Sequence, residues 1–435
     1  MGKNNFRKIA TITLFESAVQ WYCFLLYGTA AGTVFHKVFF SQTGNGTTAL
    51  ILSYMSFAIG YIAGPFGAIF FGHIGDRKGR KVTMYASLLM MGISTSIIGI
   101  LPSAASAGVG VVIVLQLMRL AQCFGRGGTW GGGILMAYEN VPENKRSFYA
   151  AIPQIGLPIG FGLSSILIAV PTLLLPEDIF FTWGWRIPFL AAIILTVIVI
   201  RQKGEMMETE DYKKAQAKLE AEEAEGKKHK VGFIPMVKGY WKTLLLGCGT
   251  RWVDGTFYNI FIVWILSYCI NWLGMPLIQT YIITIIACIF KIPFTLFGGW
   301  CAQKLGNTRT FVIGALASAV LSIPTLKVIE LSKGNLAITI IGIVLGWSIA
   351  YNLIWAVISS LWSSYFETEV RYSGISFVYH VPSFLVAGMV PTICTLLINY
   401  GKGDTIYVGI YSTVVALISA ACALALKARH DRGEK

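Results

Sequence analysis

Apolar stretches of about 20 residues recur along the whole of this 435-residue chain, and that repetition decides what the chain can fold into. Val82 to Leu101, Ile187 to Ile200, Phe311 to Ile323 with its neighbours, and Ile406 to Leu426 are four of them. A helix of about 20 residues covers about 30 Å, the hydrocarbon thickness of a bilayer, and it satisfies its own backbone hydrogen bonds without water. A charged share of 13% beside a hydrophobic share of 55% excludes an ordinary water-soluble domain, in which charge is about a quarter. The expected fold class is an all-α membrane protein.

Hydropathy places twelve spans at about 10–35, 49–72, 82–102, 108–138, 148–175, 186–203, 241–272, 276–302, 309–329, 335–363, 372–399 and 404–427. They divide into an N-terminal six-helix half over 1–203, a linker over 204–240, and a C-terminal half with a short tail over 241–435. In the linker, Asp211 to Glu225 reads as a charged, alanine-rich helix outside the bilayer. The opening Met1-Gly2-Lys3-Asn4-Asn5-Phe6-Arg7-Lys8 meets an apolar run with no small-residue cleavage site, so the first helix is expected to be retained.

The net charge of +14 is explained by topology and not by nucleic acid. With both termini inside, 26 of the 35 Lys and Arg fall in inner segments, five fall in outer segments and four lie within spans. Such asymmetry is the positive-inside rule, which predicts a multi-pass cell-membrane protein with cytoplasmic termini. Eight cysteines, among them Cys123, Cys288 and Cys394, are scattered singly without metal-ligand spacing and read as small buried hydrophobes. No G-x-x-x-x-G-K-[ST] loop or catalytic constellation occurs, so neither an ATP-driven pump nor an enzyme is expected, and no cofactor or metal.

Two polar loops echo each other after the second and eighth spans: Gly72-His73-Ile74-Gly75-Asp76-Arg77-Lys78-Gly79-Arg80-Lys81 and the degenerate Gly299-Trp300-Cys301-Ala302-Gln303-Lys304-Leu305-Gly306-Asn307. Repeated halves around a central site are the architecture of secondary transporters. The first loop matches G-x-x-x-D-R-x-G-R-[RK], and on it the chain resembles the major facilitator superfamily. The resemblance extends to the metabolite:proton symporter branch, which includes permeases for proline and betaine, α-ketoglutarate, citrate and shikimate. It is carried by Trp21-Tyr22-Cys23-Phe24-Leu25-Leu26-Tyr27-Gly28, by Arg119-Leu120-Ala121-Gln122 with Gly127-Gly128-Thr129-Trp130-Gly131-Gly132, by Trp183-Gly184-Trp185-Arg186-Ile187-Pro188-Phe189, and by Thr368-Glu369-Val370-Arg371-Tyr372-Ser373-Gly374. It implies twelve helices in two halves, a mid-membrane cavity and proton-driven import.

In the 72–81 loop, Gly72 and Gly79 allow a tight turn, Asp76 caps a helix or pairs with a base, and Arg77, Arg80 and Lys81 hold the loop at the anionic leaflet. The loop reads as a conformational latch. Gly125, Gly127, Gly128, Gly131, Gly132 and Gly133, and in the next span Pro153, Gly156, Pro158 and Gly160, read as sites of close helix packing or of hinging.

The chain departs from the branch where protons are expected to ride. The family's first-helix E-W-Y-D-F has Gln20 and Cys23 at its two acids, while Glu16, one turn earlier, shares a face with Gln20. A glutamate in a span is functional by default, so Glu16 is a proton-coupling candidate beside a structural reading. Helix four has Thr129 where the family has glutamate, and Arg126 where an apolar residue is usual. Arg119, seven residues earlier, lies on nearly the same face, and Arg251 and Lys291 add cations in the second half. These four are candidates to receive a small carboxylate, because a buried guanidinium without an anion is costly. The alternative is internal pairing: Asp254, three residues from Arg251, either neutralises it or carries a proton, and Glu139 ends helix four. His380, with an unperturbed pKa near about 6.5, is a further relay candidate beside a structural one. Gln20, Tyr27, Trp130 and Tyr258 are further substrate-binding candidates, and Trp21, Tyr22, Tyr27, Trp130, Tyr258 and Trp264 are expected on the cavity wall, or at the interface as aromatic anchors.

The sequence therefore predicts a monomeric proton-linked importer of an organic acid or zwitterion, with small-molecule substrate, proton and lipid as its partners. A proton-independent uniporter or exchanger, suggested by the missing acids, and a transporter-like sensor signalling through 201–230 are the rivals.

Overall fold

The computed structural model describes residues 3–43, 45–78, 80–139, 146–202, 233–367 and 370–434. Outside the described residues lie the side chains of Gly72, Asp76, Arg77, Arg80, Lys81, Trp130 and Glu139, all of Gly79, and the segment Asp211 to Glu225 with most of the linker.

The described chain is helical with no strand. Its long helices are α1 (Lys3–Thr33), α2 (Gly46–Lys78), α3 (Arg80–Ile100), α4 (Gly110–Glu139), α5 (Arg146–Leu174) and α6 (Glu177–Arg201). They continue with α7 (Val237–Asn271), α8 (Leu277–Leu305), α9 (Asn307–Leu331), α10 (Leu336–Tyr365), α11 (Ser373–His380 and Phe384–Tyr400, bent by about 40°) and α12 (Ile406–Asp431). Among the described residues nine are long and apolar enough to cross a bilayer, the bent α11 makes a tenth, and α1 and α4 supply 31 and 30 residues. The solvation pattern is inverted relative to a soluble protein. Phe66, Leu173, Val320 and Leu385 stand exposed on the outside, while Arg119, Arg251, Asp254 and Lys291 are buried. That arrangement is stable only in lipid.

Helix boundaries follow local chemistry. Pro176 and Pro276 take extended backbone (ψ 152° and 142°) and set the starts of α6 and α8. Gly306, at φ 89°, makes the sharp break between α8 and α9. The sixth span begins earlier than hydropathy placed it, at Glu177 and not 186, because Trp183 and Arg186 sit inside the helix. Arg186 donates from Nη1 to Gly99 O at 2.9 Å and Leu101 O at 2.5 Å, satisfying carbonyls that the end of α3 leaves open.

Close approach explains two of the glycines. A Cβ on Gly67 would lie 1.9 Å from Phe124 O, and one on Gly127 2.4 Å from Ala68 N, so α2 and α4 touch backbone to backbone. Three helices of the second half each contain a wide π turn, Ile260–Trp264 in α7, Val344–Ala350 in α10 and Phe384–Gly388 in α11. One extra residue per turn frees a backbone carbonyl, and such turns gather at functional sites.

Candidate functional site

The buried charge lies at mid-helix, where the two six-helix halves meet. Arg119 and Arg126 come from α4, Arg251 and Asp254 from α7, Lys291 from α8 and Glu16 from α1, and each is at most 3% exposed. These are the fully buried Asp, Glu, Lys and Arg side chains among the described residues: four cations and two acids.

Each cation is held differently. Arg251 pairs with Asp254, whose other carboxylate oxygen accepts from the Tyr351 hydroxyl. Lys291 donates to Asn352 Oδ1 at 3.0 Å and to Trp347 O, in the α10 π turn, at 3.4 Å. Asn352 Nδ2 returns a bond to Lys291 O at 2.8 Å, which fixes the lysine's own backbone. The Lys291 ammonium also lies over the rings of Tyr351 and Trp347, 4.4 and 4.7 Å from their centroids. Arg126 donates to the Tyr379 hydroxyl and stacks on Phe24 at 3.8 Å, joining α4 to α11 across the halves.

Arg119 has no carboxylate partner among the described residues. Its guanidinium is boxed by Phe24, Tyr27 and Phe57, 4.4 to 4.7 Å from the three ring centroids. Nη1 donates to Gln122, which itself donates to Cys23 O at 2.9 Å and Thr95 Oγ1 at 2.7 Å. Nε and Nη2 are buried and unpartnered, as are Nε2 of Gln20 and Nε1 of Trp21 and Trp347. The position where the family resemblance expects an aspartate is thus Cys23, whose backbone carbonyl is joined through Gln122, by two hydrogen bonds, to an arginine that lacks a carboxylate partner among the described residues.

Aromatic side chains close the remaining space. Trp21 meets Trp355 and Tyr258 edge to face, with centroids 5.4 and 5.9 Å apart, and Tyr258 bonds Tyr61 at 3.2 Å. Tyr27 bonds Ser56 at 2.8 Å, and the Tyr22 hydroxyl donates to Pro188 O at 2.6 Å, away from the charged groups. His380 is wedged under α2, where a Cβ on Gly64 would lie 2.8 Å from its Nδ1, and its Nε2 is unpartnered.

The halves are bolted above and below this centre. On the face bearing the chain ends, Gln154 and Trp355 exchange bonds of 3.1 and 3.0 Å. On the opposite, distal face, the Tyr54 hydroxyl lies 2.6 Å from Ser267 Oγ and 3.3 Å from Val263 O, in the α7 π turn, and Thr33 meets Tyr281 at 3.2 Å. Sequence reasoning missed Tyr54, Ser267, Gln154, Tyr351, Asn352 and Tyr379. A polar Asn352 within an apolar run was the available signal for one of them.

Comparison with known proteins places this geometry. Residues 22–391 match the family model described as Major Facilitator Superfamily. An inner membrane metabolite transport protein of Escherichia coli K12 is 33% identical, aligned over 98% of this chain and 96% of its own length. The shikimate transporter of the same organism is 31% identical over 97% and 94%. A proline/betaine transporter of Salmonella typhimurium is 28% identical over 98% and 84%. Among solved structures, a proton:xylose symporter bound to 6-bromo-6-deoxy-D-glucose superposes with a TM-score of 0.75 at 15% identity, over 98% of this chain and 95% of that one, a likeness of fold.

Proposed function

This chain belongs to the major facilitator superfamily and is a multi-pass membrane transporter, and from that premise we propose that it carries a small hydroxylated organic anion, together with a proton, into the cytoplasm. The observation that carries the reading is the surplus of buried donors. Two of Arg119's nitrogens, with the free N–H groups of Gln20, Trp21 and Trp347, lack acceptors, and four buried cations face two acids. A buried donor left open costs about 1–3 kcal/mol and more when charged, so the centre favours an acceptor-rich guest. A carboxylate suits Arg119's planar fork, and hydroxyls suit the indole and amide N–H groups.

The similarity to a shikimate transporter supports a cargo that combines carboxylate and hydroxyls. The quaternary ammonium of a betaine, cargo of a more distant relative, fits less well: the aromatic box that would take it is filled by Arg119.

For the proton we assign Asp254 first and Glu16 second. Protonating Asp254 would dissolve its pairing with Arg251 and free that guanidinium for the cargo, which links proton to substrate. Glu16 is buried one turn before Gln20. His380, packed on α2, is given a packing role. In this reading Arg119, Arg126, Arg251, Lys291 and Gln20 contact cargo, Tyr27, Trp130 and Tyr258 wall it, and the 72–81 loop latches the cytoplasmic face, where both termini lie.

Uptake into proteoliposomes tests the proposal. Shikimate accumulation driven by an acid-outside gradient, with no betaine accumulation, is expected. Betaine accumulation would overturn the anion assignment. Shikimate counterflow indifferent to pH would assign the second reading, exchange without protons, which Gln20 and Cys23 favour.

A further inference from the structure

The distal face holds a cavity that the central site does not use. It measures about 680 Å³ and lies between the halves, with His36 and Lys37 on one wall, Trp264, Ser267 and Asn271 on the other, and Asn399 beside them. Ser267 on its wall is the residue that bonds Tyr54 across the halves, at 2.6 Å. Its lining contains basic groups and no carboxylate. His36 Nδ1 is buried there without a partner, and Lys37 has a weak surface pairing with Glu177 at 3.6 Å and lies over the Phe181 ring, 4.3 Å from its centroid.

A second depression, of about 450 Å³, adjoins it and shares Tyr268 and Trp272. Lys333 and Lys402 line it, and they are the two non-glycine residues with left-handed backbone among the described residues, at φ 48° and 51°. Asparagine or glycine would occupy those positions with less strain, and strain of this kind collects where a side chain is needed for function. The acids of the depression, Glu330 and Asp404, are both engaged by Lys327, at 3.0 and 2.7 Å. Lys333 and Lys402 have no ion pair among the described residues.

We propose that this distal mouth is a second, weaker binding site for small hydroxylated carboxylates, an antechamber that gathers the anion before the Tyr54–Ser267 bridge opens. Lys333 and Lys402 attract and hold the carboxylate, and the amides of Asn271 and Asn399 and the His36 imidazole meet the hydroxyls. The proposal rests on the central site being an anion site, but it is separable from it because the two sites share no cation.

The test is equilibrium binding of radiolabelled shikimate to the purified full chain, in wild type, Arg119→Gln, Lys333→Asn/Lys402→Asn, and all three changes together. Asparagine tolerates left-handed backbone, so the double variant keeps the loops, and an unchanged melting temperature verifies that. Wild type should show two classes of site. Arg119→Gln should keep only the weaker, and the double variant only the tighter, with association slowed about tenfold at low salt and unchanged at high salt. A single site in wild type that Arg119→Gln abolishes would overturn the antechamber and leave the central reading intact. Tight binding that survives Arg119→Gln would overturn the central reading instead. Absence of shikimate binding from wild type would overturn both.

Discussion

Asp254 is paired with Arg251 one turn earlier on α7, and both are fully buried. The aspartate is therefore committed within its own half, and Arg119 across the interface has no carboxylate among the described residues. This pairing has a direct energetic consequence. Asp254→Asn strands a guanidinium in the core and should cost about 3–5 kcal/mol, read as a lowered melting temperature. Arg251→Gln in the same chain should restore most of that loss, and a double-mutant cycle measures the coupling. Costs that simply add would show that the pair is not a unit.

Gly67 and Gly60 should respond differently to the same methyl group. At Gly67 a Cβ would lie 1.9 Å from the Phe124 carbonyl, rigid helix backbone, so Gly67→Ala should fail to yield folded protein. At Gly60 it would lie 2.6 Å from Arg119 Nε and 2.8 Å from Cys123 Sγ, side-chain atoms that can shift where helix backbone cannot, at the expense of the Arg119 position. Gly60→Ala should fold and weaken anion binding at least tenfold, measured by equilibrium binding.

Tyr54→Phe removes the hydroxyl that meets Ser267 and Val263 O across the halves. Two net hydrogen bonds at about 1 kcal/mol each correspond to roughly a thirtyfold shift toward a distal-open state. Spin labels at positions 45 and 271, on opposite walls of the distal cavity, should report a larger population of the longer distance.

The distal loop of Asp404 carries a pH dependence. The hydrogen bond from Lys327 and the Ile406 backbone N–H hold the Asp404 carboxyl below its usual value. A depressed carboxylate contributes stability above the ordinary aspartate range and loses it as pH falls through the lowered value. The melting temperatures of wild type and Asp404→Asn should therefore differ at neutral pH and converge as pH falls through that lowered value.

Much of this was legible because lipid writes strongly into sequence. Most of the spans follow from hydropathy, nine of them or ten with the bent α11 among the described residues, and the four core cations stood out because a charge within an apolar run is rare and costly. The i, i+3 spacing of Arg251 and Asp254 announced their pairing as one alternative. Tyr54 and Ser267 were not legible, since hydroxyls are common in spans and these two meet from 213 positions apart. The π turns left no signature, because one extra residue in a turn changes no residue type. The early start of α6 was hidden by Trp183 and Arg186, polar on a scale, of which Arg186 is placed where the helix end of α3 needs donors.

The central claim is that an anion seats on Arg119, and ligand-induced thermal stabilisation of wild type and Arg119→Gln tests it most directly. A carboxylate at about 100 times its dissociation constant should stabilise wild type by about 2.7 kcal/mol. The same carboxylate should leave Arg119→Gln nearly unmoved, and its uncharged methyl ester should leave both unmoved. Equal stabilisation of the two proteins, or stabilisation by the ester, would contradict the account.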